Sequence, residues 1–202
     1  MQSLLYEGEV FCKTLEYFRN EEKDTFRHDA YDGAGYISQM TNIEMLTEDG
    51  KTLLAKGKSG QLYYYLNNSK GNVYCLYGIE SKLMSSESGV ITPLEVDMSS
   101  LNFGDYAVLI IDPTEFITRV QSAVESQGLT FYYGPVDYYD EYKYQGDIGV
   151  FHKSSKFSQQ KEIRFWIPNE HKKDMTFKIG NIEDIARLLP KNDLTKLGFG
   201  RP

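Results

Sequence analysis

The residues best suited to chemistry in this chain lie in the stretch Lys156-Phe157-Ser158-Gln159-Gln160-Lys161-Glu162-Ile163-Arg164-Phe165-Trp166-Ile167. Read as a strand, it sends Gln160, Glu162 and Arg164 to one face and Ile163, Phe165 and Ile167 to the other, since side chains alternate with a period of two. A sheet face that carries both signs of charge beside the single tryptophan is suited to holding something polar. A second polar group comes early, in Phe26-Arg27-His28-Asp29-Ala30-Tyr31-Asp32-Gly33-Ala34-Gly35. Its glycines and carboxylates make it a loop, and loops rich in hydrogen-bonding groups are frequent carriers of function. If the two segments meet, Arg27, Asp29 and Asp32 face Glu162 and Arg164, with Tyr74 and Tyr77 as aromatic walls of one polar pocket. The same meeting of charges would serve equally as a structural tie.

The elements that must position these residues are mostly strands. Thr14 caps a short helix through Glu22. Tyr36–Met45 and Lys51–Ala55 flank Asp49-Gly50, a hairpin signal, and Gly57-Lys58-Ser59-Gly60 reads as a further turn before Gln61–Leu66. After a turn at Asn67–Asn72, Val73–Ile79 carries few charges and is expected at the centre of the sheet. Residues 80–102, rich in serine, read as a flexible excursion. Tyr106–Ile111 reads as a buried strand. Asp112-Pro113-Thr114-Glu115 then opens a helix, with Asp112 as cap, Pro113 in its first position and Phe116, Ile117, Val120 and Val124 on one face. Leu129–Tyr133, Val136–Tyr139, Glu162–Ile167 and Met175–Ile179 are expected strands, and Asn181–Leu189 a last helix stopped by Pro190. Strands that follow one another without helices between them predict an α+β class with a curved, mainly antiparallel sheet and two or three short helices.

Composition narrows the function classes. A chain of 202 residues with 25% charged and 41% hydrophobic residues is expected to fold as one domain, 1–202. A net charge of -7 argues against gripping phosphate backbones, so no nucleic-acid partner is expected. The sequence has no run of ~20 apolar residues to span a bilayer. Met1–Val10 carries Glu7 and Glu9 where a secretory leader would carry basic and then apolar residues, so a soluble, cytoplasmic chain with no membrane partner is expected. Cys12 and Cys75 are the two cysteines, too few for a four-thiolate zinc site, and His28, His152 and His171 lack ligand spacing. No metal and no resident cofactor is expected. The sixteen tyrosines, clustered at Tyr63–Tyr65, Tyr132–Tyr133 and Tyr138–Tyr144, suit a pleated half-buried surface or a contact surface for a partner.

Gln160-Lys161-Glu162 resembles the late Gln-x-Glu motif of ADP-ribosyltransferases. That resemblance implies NAD as substrate, Glu162 as the catalytic carboxylate on the ribose, Gln160 as the residue orienting the acceptor, and an early arginine, Arg19 or Arg27, on the phosphates. A carboxylate placed there would stabilise the oxocarbenium-like charge that develops as nicotinamide leaves. The family's middle Ser-Thr-Ser is absent, with Tyr36-Ile37-Ser38 the nearest substitute.

A longer resemblance runs from about residue 10 to residue 189. Leu15-Glu16-Tyr17-Phe18-Arg19, Arg27-His28-Asp29-Ala30-Tyr31-Asp32-Gly33, Tyr74-Cys75-Leu76-Tyr77, Phe103-Gly104-Asp105-Tyr106, Gln160-Lys161-Glu162-Ile163-Arg164 and Ile179-Gly180-Asn181-Ile182-Glu183-Asp184-Ile185 are similar to the ordered motifs of a bacterial and mobile-element family of unknown function. The resemblance implies that Arg27–Asp32, Tyr74–Tyr77 and Gln160–Arg164 share one site or core, with Asp32-Gly33 standing where the family has Glu-Gly. The expected function is that of a protein of bacterial or phage type, in a setting of phage–host conflict, that binds a small polar molecule or a protein partner. ADP-ribosyl transfer and a tyrosine-rich interaction surface are the alternatives.

Overall fold

Apolar residues recur with a period of two at Val10 and Cys12, at Tyr74 and Leu76, and at Ile163, Phe165 and Ile167, so each strand must bury one face. A computed structural model describes residues 2–20, 22, 27–65, 70–79, 89–94, 96–171 and 173–200. In chain order its elements are α1 (Gln2–Glu7), β1 (Glu9–Thr14), α2 (Leu15–Asn20), β2 (Tyr36–Leu46), β3 (Leu53–Tyr64), β4 (Asn72–Tyr77), β5 (Ile91–Pro93), β6 (Tyr106–Ile110), α3 (Pro113–Glu125), β7 (Tyr132–Pro135), β8 (Asp137–Tyr139), β9 (Gly146–Asp147), β10 (His152–Ser154), β11 (Glu162–Ile167), β12 (Met175–Lys178), β13 (Ala186–Pro190), α4 (Lys191–Leu194) and β14 (Gly198–Gly200), with 3-10 turns at Met98–Phe103 and Ser155–Gln160. The class is α+β, and among the described residues every strand pair is antiparallel except β8 with β10. Among the described residues no helix is long and apolar enough to cross a membrane, which says nothing of strands that might.

The chain divides into two compact units, Met1–Thr14 with Gly71–Pro135 and Gln159–Pro202, and Leu15–Lys70 with Val136–Ser158. The first holds a five-stranded sheet in the order β12-β1-β4-β11-β7. Its core face presents Val10, Cys12, Phe165, Ile167 and Phe177 to Phe116, Val120 and Val124 of α3. The α3 cap is as its sequence demands: the Asp112 carboxylate accepts the Glu115 N–H at 3.0 Å, with Pro113 in the first turn. β6 pairs with β13, and β5 with β14. The second unit holds a three-stranded sheet, β3-β2-β9, the pair β10-β8, and a small core of Ala34, Ile37, Tyr139 and Ile148.

Several elements depart from the pattern read along the chain. Asn181–Leu189 is not a helix: the Asn181 side chain accepts the Glu183 N–H at 2.8 Å in a local turn, and Ala186–Pro190 pairs in register with β6. Pairing with a neighbour overrides the cap signal here. Gly57-Lys58-Ser59-Gly60 is not a turn, since β3 runs straight through it. Gly60 makes room for Ile43 on the adjacent strand, where a Cβ would meet Ile43 Cδ1 at 2.6 Å, whereas one at Gly57 would make only ordinary contact at 3.8 Å. The β6 strand is half-buried rather than buried, with Tyr106 54% exposed. Within 80–102, residues 80–88 and 95 lie outside the described residues, as do Leu66–Ser69 and Phe26; the remainder includes β5 and a 3-10 turn. The Asp49-Gly50 hairpin forms as read, with Thr47 and Lys51 donating to the Asp49 carboxylate and holding it below its ordinary range.

The turn from α1 into β1 depends on Gly8, which has φ +61. A Cβ there would lie 1.9 Å from the Gly180 carbonyl oxygen, whereas one at Gly50, φ +69, meets nothing within 4 Å. Gly50→Ala should therefore lose only the left-handed backbone energy of about 1–2 kcal/mol, and Gly8→Ala distinctly more. Urea unfolding of both variants checks this, and equal losses would contradict the packing described.

Candidate functional site

The expected site residues fall into both units, and each set has its own geometry. In the first unit, β11 lies between β4 and β7, with Glu162 opposite Tyr77, Arg164 opposite Cys75 and Phe165 opposite Tyr74. Cross-strand partners share a face, so Glu162, Arg164, Cys75 and Tyr77 stand on one side of the sheet, and Tyr74 stands on the other. Tyr74 packs in the core with its ring 6.2 Å from that of Phe165, and burial drives its phenol pKa upward. It is therefore a core residue and not a wall beside the charges.

Arg164 is the largest fully buried side chain described. Its cross-strand neighbours are small, Cys75 on β4 and Gly134 on β7, which leaves the long side chain room. Its Nε donates to Glu162 Oε1 at 2.5 Å, and the two side chains are 1% and 4% exposed. Gln160, half-buried, ends the preceding 3-10 turn. Between Gln160 and Glu162, Lys161 adopts φ 41, a left-handed backbone on a residue with a Cβ. The Lys161 carbonyl accepts the Gly78 N–H at 2.7 Å, which fixes this kink against the end of β4. Tyr77 accepts the Asp97 N–H at 3.2 Å and lines an apolar cavity of about 480 Å³ with Leu94, Phe103, Phe116 and Phe165.

In the second unit, residues 27–35 form consecutive turns that bury both acids. Asp29 and Asp32 are each 2% exposed. The Asp29 carboxylate accepts the Tyr31 N–H at 3.0 Å, and the Asp29 and Tyr31 carbonyls accept the Asp32 and Ala34 N–H groups. Arg19 donates to the Asp32 carbonyl at 3.1 Å and lies over the Tyr65 ring, whose hydroxyl donates to the Ala30 carbonyl. Arg27 instead pairs with Glu22 at 3.5 Å, half exposed. Around the acids sit groups that the sequence did not place beside them. Tyr31 stacks on Tyr63 at 3.7 Å. Tyr139 is buried beside Ser154, its partner across the β8–β10 pair, and Glu141 faces Lys156 at 3.5 Å. The Tyr63 hydroxyl and Ser154 Oγ are buried without a hydrogen bond of normal geometry.

Electrostatics makes this a coupled group. Burial raises the Asp29 pKa, the adjacent Asp32 charge raises it further, and Lys153 and Lys156 partly oppose them. Burial and then the Glu141 charge push the Tyr63 phenol up to about 12. The Tyr138–Tyr144 cluster hinted at Tyr139, but Glu141, Lys153 and Ser154 gave no signal, because they reach the acids only through the fold. Tyr74 and Tyr139 pack into the cores, whereas eight of the sixteen tyrosines are exposed, Tyr142 to 76%. Among the described residues no cluster of three or more His, Cys, Asp and Glu side chains has the arrangement of a metal site.

A carboxyl whose folded pKa is raised supports stability while protonated and loses that support as pH rises from the ordinary value of 3.8 through the folded one. Asp29→Asn, which can still accept the Tyr31 N–H, should thus melt above wild type at pH 7. At about 2–4 °C per kcal/mol for a chain of this size, the gain should be a few degrees and shrink toward zero near pH 4. Paired melts across pH test it, and a gain that does not vary with pH would contradict the buried-charge origin.

No protein-family model, curated protein or solved structure matches this chain.

Proposed function

We propose that this chain is a binding protein for a small polar ligand, held by Asp29, Asp32, Tyr63, Tyr139 and Ser154 in the second unit. The observation that carries this reading is Asp29, a buried carboxyl whose burial and acidic neighbour both oppose its charge. Strain of that kind is common at binding sites, where stability is given up for recognition. The ligand chemistry follows from the groups. Carboxylates accept hydrogen bonds, the Tyr63 and Ser154 hydroxyls both donate and accept, and the stacked Tyr31 and Tyr63 rings offer an apolar face. Arg19, Lys153 and Lys156 offset the acids Asp29, Asp32 and Glu141 in number, which favours a ligand rich in hydroxyl or amino groups over a strong anion. A nucleoside or a sugar meets this description. The resemblance to bacterial and mobile-element proteins makes conflict between phage and host the proposed setting.

One observation favours a second reading, ADP-ribosyl transfer from NAD with Glu162 as catalytic carboxylate and Gln160 as positioning residue. The left-handed backbone at Lys161 lies between the two, and such strain gathers at functional sites. Against it, the Glu162 carboxylate is already engaged by Arg164.

A thermal-shift screen with nucleosides, mononucleotides, NAD and monosaccharides separates the readings. A ligand at 100 times its dissociation constant stabilises by about 2.7 kcal/mol. The binding reading expects such a shift in wild type and its loss in Asp29→Asn, and no shift with any probe, or an equal shift in that variant, would refute it. Release of nicotinamide by wild type but not by Glu162→Gln would select the transferase instead.

A further inference from the structure

We infer that the first unit holds a second ligand site, in which the apolar cavity beside Phe116 and Phe165 takes the hydrocarbon tail of an aliphatic carboxylate and Lys191 takes its head group. The cavity measures about 480 Å³, and its described lining lies wholly in the first unit. Protein interiors pack as closely as organic crystals and hold few voids larger than a water molecule. A space of this size exceeds a packing defect and falls in the range of small-molecule pockets.

Its walls come from the elements that build the first core. Leu76 of β4, Ile163 of β11, Val108 and Ile110 of β6 and Ile117 of α3 all line it. These five pack against the core yet stay half-buried, so each keeps apolar surface that a hydrocarbon tail can cover. Exposure rises along the cavity: Phe165 and Phe116 are 0% and 1% exposed, whereas Phe103 and Tyr106 are 45% and 54%. The cavity thus opens at the surface and ends in the core. That shape suits a molecule apolar at one end and polar at the other, entering tail first.

The head group follows from charge. Lys191 is the one charged side chain among the described lining residues. It follows Pro190, the strand partner of Tyr106, and its backbone N–H donates to the Asp105 carbonyl at 2.9 Å, which fixes it at the mouth. Its Nζ meets Asp105 Oδ1 at 3.1 Å, but that carboxylate is 83% exposed, and an ion pair so open to water contributes little. An ammonium has three donors, so Lys191 can take a ligand carboxylate beside Asp105 or in its place, and the phenols of Tyr77 and Tyr106 can donate to the same group. A cationic amphiphile finds no acid in this lining, and a neutral one leaves Lys191 unused.

Calorimetric titration of the full chain with hexanoate, octanoate, decanoate and dodecanoate, each below its micelle-forming concentration, tests the inference. Binding should saturate at one molecule per chain and tighten about fourfold for each added methylene until the cavity is full, and decanoate should bind roughly tenfold more tightly than decanol. Lys191→Met, which keeps the stem and removes the charge, should abolish the preference over decanol and leave the dependence on chain length. Val108→Trp, which fills the cavity, should abolish binding with an unchanged circular dichroism spectrum; if it unfolds, the chain-length series and Lys191→Met decide. Wild type that shows no saturable binding, an affinity that does not rise with chain length, or a carboxylate preference that survives in Lys191→Met overturns the inference, as does undiminished binding by folded Val108→Trp.

Discussion

Arg164 is buried in the middle of a sheet, and its partner Glu162 is two residues away on the same strand face. An unpaired buried guanidinium would cost several kcal/mol, and positions two apart on a strand emerge on the same side, which lets the two side chains meet. Keeping that pair away from the apolar residues selects which face of β11 turns from the core. With Glu162 and Arg164 on one face, Phe165 and Ile167 must enter the core, where Phe116 and Val120 of α3 meet them. A slip of one residue would put both charges among the phenylalanines. The small neighbours Cys75 and Gly134 are the corresponding demand on the strands to either side.

The second unit resolves a comparable problem less fully. Its turns supply backbone hydrogen bonds to Asp29 and enclose Asp32, but the two acids remain close enough to raise the Asp29 pKa. In the first unit charge is neutralised within one strand. In the second it is balanced among Arg19, Lys153 and Lys156 from separate segments. That contrast is why the first constellation reads as a tie and why the second is the one proposed as a site.

How much of this was legible in the sequence depended on how local the cause was. The α3 cap, the Asp49-Gly50 hairpin and the alternation of β11 are written in neighbouring residues, and each appears where read. The Asn181–Leu189 segment carries a cap residue and a following proline, yet its backbone pairs with β6 because a distant strand offers a ladder. Gly57 and Gly60 look like a turn, yet β3 runs through both, and Ile43 across the ribbon accounts for the missing side chain at Gly60. Tyr74 was misplaced because cross-strand register, which decides its face, cannot be read along one strand. Asp29 and Asp32 were visible as candidates, whereas Tyr63, Glu141 and Ser154 joined them only through tertiary structure.

The dependence of the fold on the Glu162–Arg164 pair is tested most directly by a double-mutant cycle on unfolding free energy, using Glu162→Gln, Arg164→Met and the two together. The account predicts a coupling of about 2–3 kcal/mol, near the upper range for groups in direct contact, because either single change removes the direct contact between two buried charges and the double change leaves neither charge in place. Losses that add to within about 0.5 kcal/mol, as for independent sites, would contradict it.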